Sequence, residues 1–148
     1  MECAEFVGEI GRTATDHFTT EAQRAQRVDQ FTERIIAAGI EVHRALGPGL
    51  LESAYQACLF YELTRGFHVV RQQRLPVAYK GVSIDCGYRI DMVVDNRVLL
   101  ELKAIERIDP IHEAQVLTYL KLSGLRVGLL MNFNSLLLKD GIRRLVNG

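Results

Sequence analysis

The hydrophobic period of this chain changes along its length, and that change commits it to a mixed α/β fold. Val28, Phe31, Ile35, Val42 and Leu46 recur at helical spacing, with Ala38 between them, and predict an amphipathic helix that Gly47-Pro48-Gly49 ends. A second helix is expected from about Leu50 to Arg65, with Leu51, Tyr55, Cys58, Leu59 and Leu63 as its buried stripe and Gly66 as its stop. The period then drops from helical to two. His68 to Leu75 reads as a strand, with Pro76 marking an edge or a strand end. Val77-Ala78-Tyr79 leads to a turn at Lys80-Gly81. Val82 to Val94 reads as a long strand or a bent pair with Gly87 as a bulge, and Val98 to Ala104 as a further strand. Pro110 opens a third helix that runs to about Ser123, closed by Gly124. Arg126 to Phe133 is an apolar strand expected to be buried on both faces. An Asp140-Gly141 turn and Ile142 to Val146 complete the chain. The order is helix, helix, several antiparallel strands, helix, strand.

Residues 1 to about 27 are polar and lack a sustained period, so they are read as an N-terminal arm or a fraying first helix, with the domain proper at 28–148. A chain of 148 residues that is 48% apolar can bury one core. The 24% of charged residues and the net charge of zero argue against a chain held to nucleic acid mainly by a broad basic surface, although a local groove remains open to it. Cys3, Cys58 and Cys86 are scattered and odd in number, and the histidines do not cluster with them. That argues against a disulfide framework and a structural zinc site. No signal-peptide run or membrane span is visible, so a cytoplasmic location away from membranes is expected. Gly47-Pro48-Gly49 lacks the lysine and the preceding strand of a phosphate loop. His43 is expected to cap the first helix, and His112 to lie exposed in the first turn of the third.

The chemistry is concentrated in Arg89-Ile90-Asp91 and Glu101-Leu102-Lys103. Strand side chains alternate, so Glu101 and Lys103 point one way and Leu100 and Leu102 the other. Two charges on an apolar strand cost stability unless something compensates them. If Asp95, Asn96 and Arg97 form a three-residue loop with Asn96 left-handed, Val94 opposes Val98 and Asp91 opposes Glu101. A two-residue loop would put the two acids on opposite faces. Facing carboxylates repel, and a bound Mg²⁺ or Mn²⁺ would turn that repulsion into a ligand set. Lys103 beside them can orient an attacking water or stabilise phosphate charge. Glu52 shares a helix face with Tyr55 and Leu59 and can add a carboxylate; it also reads as an ordinary first-turn acid. Gln115 and Tyr119 stand one helical turn apart, Gln115 as polar support and Tyr119 to hold a nucleotide or to pack. Taken alone, Asp91, Glu101 and Lys103 also read as a strand ion pair. The register of Glu52, Gln115 and Tyr119 turns the reading toward a site.

These residues resemble a known signature. Asp91, nine residues, then Glu101-Leu102-Lys103 is similar to the PD-(D/E)xK nuclease motif, without the proline of its name. Gln115-Val116-Leu117-Thr118-Tyr119 resembles the QxxxY helix of the recombination-exonuclease branch, in which a glutamate from an early helix joins the site as Glu52 would. Gly49-Leu50-Leu51-Glu52-Ser53-Ala54-Tyr55 matches the GxxExxY motif of a small bacterial group within that superfamily. The resemblance covers roughly residues 28–147. It implies a restriction-endonuclease-like core, a mixed sheet flanked by helices. It also implies a Mg²⁺- or Mn²⁺-dependent nuclease acting on DNA or RNA. Asp91, Glu101 and Glu52 would be the metal ligands, with Lys103, Gln115 and Glu52 in catalysis and Tyr119, Tyr55 and Arg89 facing substrate. The rival expectation is a nuclease fold that no longer cleaves and serves binding or assembly. A domain this small would gain binding surface as a homodimer.

Overall fold

The computed structural model describes residues 14–148. Two compact units divide the chain, Met1–Ile35 and Ile36–Gly148. Their boundary falls inside one long helix, α1 (Ala14–Leu46). The part of the expected arm before residue 14 lies outside the described residues. From Thr20 to Arg27 every side chain on α1 is exposed, as its polar sequence requires.

In the second unit α1 stops where Gly47 adopts φ +69° and returns its N–H to the His43 carbonyl at 2.7 Å. The His43 ring does not cap this end. It is buried and donates from Nε2 to the Ser135 carbonyl at 2.8 Å, tying the helix to a loop 92 positions later. Helix α2 (Glu52–Thr64) buries Tyr55, Leu59 and Leu63 completely. Leu51, expected in that stripe, precedes the helix instead and is 78% exposed.

Strand β1 (Val69–Arg74) is followed by a separate small hairpin, β2 (Val77–Tyr79) and β3 (Val82–Ile84). Val82 to Val94, expected as one long strand or a bent pair, is divided into two strands that lie in different sheets. Gly87, at φ +80°, turns the chain, and its N–H is held by the Asp85 carboxylate at 2.9 Å. Strands β4 (Arg89–Val94) and β5 (Val98–Lys103), helix α3 (Pro110–Ser123), strand β6 (Val127–Asn132), a 3₁₀ turn (Leu138–Gly141) and strand β7 (Ile142–Val146) follow. The main sheet runs β1-β4-β5-β6-β7. Only β5 and β6 are parallel, and α3 is the crossover that a parallel pair needs. Every residue of β6 is buried, as its unbroken apolar run implies.

The sheet carries a helix on each face. On one, Gly128 of β6 lies under α3, so close that a Cβ there would meet Val116 Cγ1 at 2.9 Å. Val93, Leu99 and Leu130 join Val116, Tyr119 and Leu120 in that layer. On the other, Met131 and Leu138 close on Gly39 of α1. Gly124 ends α3 at φ +77°. His112 is not a free first-turn residue: its Nδ1 accepts the Asp109 N–H at 2.9 Å and so caps α3. No described helix is long and apolar enough to cross a membrane.

Candidate active site

The hairpin between β4 and β5 sets the register on which the site depends. Asp95 and Asn96 both take left-handed backbone, at φ +49° and +53°, and Arg97 returns its N–H to Val94 at 2.9 Å. Asp95 also accepts the His68 N–H at 2.7 Å, which fixes the turn against the start of β1. Across this loop Val94 pairs with Val98, Val93 with Leu99 and Met92 with Leu100. The next positions are Asp91 and Glu101, and there the backbone ladder gives way to side chains. The Leu102 N–H donates to Asp91 Oδ2 at 2.8 Å, and the Asp91 N–H donates to Glu101 Oε1 at 3.2 Å. Each carboxylate thus accepts a backbone amide from the neighbouring strand.

Both acids are buried, Asp91 8% and Glu101 4% exposed. Burial, and then the Asp91 charge, push the Glu101 carboxyl from its usual 4.5 up to about 8. Burial also raises Asp91, against the opposing pull of the Leu102 amide and the Lys103 charge. Both carboxyls are thus raised by burial, and a proton taken up by the pair relieves the repulsion that two buried charges would suffer. Glu52, at the first turn of α2, is raised by burial and by Asp91, so the three carboxyls sense one another.

Lys103 ends β5 on the face of Glu101 and donates from Nζ to Gln115 Oε1 on α3 at 3.2 Å. Gln115 Nε2 donates onward to the Tyr119 hydroxyl at 3.2 Å, and Tyr119 meets Tyr88 edge-on with centroids 6.2 Å apart. Leu102, between Glu101 and Lys103, pairs with Met131 in the opposite layer. The exit from β5 is held by Asn132, buried and opposite Lys103, whose side chain takes both the N–H and the carbonyl of Ile105 at 3.1 and 3.0 Å. Asp91, Glu101, Lys103, Gln115 and Tyr119 therefore come together through strand register and the α3 crossover, with Glu52 in electrostatic reach. Arg89 opens β4, part exposed, 3.9 Å from Asp85. Tyr55 is elsewhere. It is fully buried on Phe133, donates to the Gly47 carbonyl at 2.6 Å and accepts the Leu50 N–H at 3.1 Å, so it braces the turn between α1 and α2.

Asp91, Glu101 and Lys103 on adjacent paired strands, with Glu52, Gln115 and Tyr119 on flanking helices, make a test of kinship possible. The family model of the PD-(D/E)XK nuclease superfamily matches residues 29–145. The chain belongs to that superfamily. Searches of curated proteins and of solved structures return no match. Superfamily membership agrees with the five-stranded mixed sheet between helices, a restriction-endonuclease-like architecture. It supports a nuclease type of function, and nucleases of this superfamily generally use divalent metal.

Among the described residues, no three His, Cys, Asp or Glu side chains stand closed as a ready metal cage. Two facing carboxylates are nevertheless enough for Mg²⁺, which keeps several waters and completes its shell with substrate phosphate. The donor chemistry fits: hard oxygens, buried, mutually repelling, with one ammonium nearby. Two polar side chains absent from the sequence reading belong here as well. Gln56 on α2 donates to Glu52 Oε1 at 3.2 Å, and Gln72 on β1 donates to Gln56 Oε1 at 3.0 Å. Gln56 stands one helical turn after Glu52, a signal that was available. Gln72 carries no sequence signal of this kind.

Proposed function

We propose that this superfamily member is a Mg²⁺- or Mn²⁺-dependent nuclease that hydrolyses phosphodiester bonds of DNA or RNA, and that it falls in the GxxExxY group. The observation that carries the proposal is the pair of buried, opposed carboxylates at Asp91 and Glu101, with Lys103 on the same face. A structural ion pair needs one acid for one lysine. Here Lys103 is hydrogen-bonded to Gln115, and the two acids lean on backbone amides instead.

In this reading Asp91 and Glu101 are the principal ligands, and Glu52 contributes a third carboxylate from α2. The metal, when bound, supplies a nucleophilic water at neutral pH and offsets phosphate charge. Lys103 holds and orients the attacking water and balances charge on the phosphoryl oxygens. Gln115 fixes the Lys103 ammonium and is in turn fixed by Tyr119. Arg89 offers a partly exposed guanidinium to a neighbouring phosphate. Tyr55 is left out, because its hydroxyl is committed to the turn.

The test is cleavage of single- and double-stranded DNA and RNA with Mg²⁺ or Mn²⁺ and with chelator, run beside Lys103→Ala. Loss of one such charge stabiliser is expected to lower the rate about 10²–10³-fold. Metal-dependent product at undiminished rate in Lys103→Ala would remove the assignment. A folded wild type that binds nucleic acid and yields no product under any metal would favour the non-cleaving module.

A further inference from the structure

We infer that Gln72 is a positioning residue for the carboxylate cluster, held in a left-handed backbone conformation that lets it reach Gln56 from a place on β1 across from Asp91. The inference rests on the metal-site reading above.

Four described residues other than glycine have positive φ: Gln72, Lys80, Asp95 and Asn96. Lys80 sits at the tip of the β2–β3 hairpin and Asp95 and Asn96 form the β4–β5 turn, where such backbone is required. Gln72, at +51°, lies within strand β1, where extended backbone would continue the ladder. A long unbranched side chain is poorly suited to that region, and no glycine or asparagine has been placed there.

The geometry states what the conformation achieves. In a regular strand Arg71 and Gln72 would point to opposite faces. Instead both reach α2. The Arg71 guanidinium lies 4.9 Å from the Phe60 ring centroid, and Gln72 Nε2 donates to Gln56 Oε1 at 3.0 Å. Gln56 and Phe60 are one turn apart on α2. The left-handed residue breaks the alternation and brings two successive side chains onto one helix.

Its place in the register matters as much. Arg71 pairs with Met92 and Gln73 with Ile90, so Gln72 stands across from Asp91. The hydrogen bonds of the Gln72 and Gln56 amides run from Gln72 to Gln56 and from Gln56 to Glu52, and both amides lie near enough to Asp91 to oppose the rise that burial gives its carboxyl. Gln56, itself buried, passes the constraint to Glu52 at 3.2 Å. The chain Gln72–Gln56–Glu52 therefore joins β1 and α2, two of the elements beside the Asp91–Glu101 pair. Acids brought together without a cation spread apart unless something holds them, and neutral amides can do so without adding charge of either sign.

The test compares Gln72→Gly and Gln72→Asn with wild type in the full chain. Mn²⁺ binding is read from the loss of the free-ion electron paramagnetic signal, and Tm is measured in chelator. Glycine removes the backbone strain together with the side chain. Asparagine tolerates the left-handed region but is one methylene too short. Both variants are expected to bind Mn²⁺ about tenfold more weakly, with Tm unchanged or raised by roughly 3 °C. Unchanged Mn²⁺ affinity in Gln72→Gly overturns the role of Gln72 and leaves the metal reading standing. A Tm that falls together with affinity in both variants makes Gln72 an ordinary structural residue, which also overturns it. A wild type that takes up no Mn²⁺ removes the metal reading itself, and the inference with it.

Discussion

At Glu101 a single side chain records the conflict that defines this site. Its carboxyl is raised to about 8 because it is buried beside Asp91. In the unfolded chain it would titrate near 4.5. Between those values the folded state binds the extra proton, so the stability associated with this group is complete below about 4.5 and is lost as pH rises through about 8. Metal-free protein should therefore show a falling Tm from pH 5 to pH 8.5, and Glu101→Gln should flatten that slope. Added Mg²⁺ should restore stability at pH 8 more than at pH 5, because binding displaces the proton. Thermal unfolding with chelator and with metal at both pH values checks this. A Tm in chelator that rises over the same range would contradict the buried acid pair. Tyr119 adds to the picture: burial raises its phenol above the ordinary 10.0, so it stays protonated at any working pH.

Among the elements, α3 and the β4–β5 hairpin do the positioning. The hairpin delivers Asp91 to Glu101 by register alone, and α3 delivers Gln115 and Tyr119 to Lys103 by crossing from β5 to β6. The crossing is close because Gly128 has no side chain. Gly128→Val would push on Val116 and Leu120 and is expected to cost about 1–3 kcal/mol of stability. It should also lift Gln115 from Lys103 and lower activity at temperatures where the protein is still folded. Urea denaturation and a cleavage assay well below the midpoint separate the two effects. A variant as stable as wild type would mean that α3 can retreat without loss, and that the contact does not set its position.

For the molecule as a whole, zero net charge limits how a nucleic-acid substrate is held. Lys103 and Arg89 are the cations identified at the candidate site, and Arg143 on β7 faces Glu113 of α3 at 3.7 Å. Duplex binding measured in Ca²⁺ should therefore depend weakly on salt. Two or three phosphate contacts give a log–log slope of roughly −2 to −3. Fluorescence anisotropy across a salt series provides the number, and a slope steeper than about −5 would show that more cations than Lys103 and Arg89 hold the nucleic acid.

Much of this was legible without coordinates. Pro110 and Gly124 marked the ends of α3, because a residue without an amide hydrogen and a residue free to go left-handed suit only those places. The apolar run after Arg126 declared a strand covered on both faces. Asp95-Asn96-Arg97 marked a turn, while its length, two residues or three, and with it the pairing of Asp91 with Glu101, was decided by the strand register. Such marks are local properties, set by backbone sterics and the period of burial. What sequence could not decide was where a side chain goes once distant segments meet. His43 turned to Ser135, His112 to its own helix cap, Leu51 to solvent, and Tyr55 to the turn before α2. The split of Val82 to Val94 into two sheets depended on pairing partners, which no single strand encodes. Gln72 is the clearest case. Its left-handed backbone is unfavourable locally, and its side chain is bonded to Gln56, a partner on another element. Local propensity is read one residue at a time, whereas such a conformation is stabilised by contacts that exist only after folding.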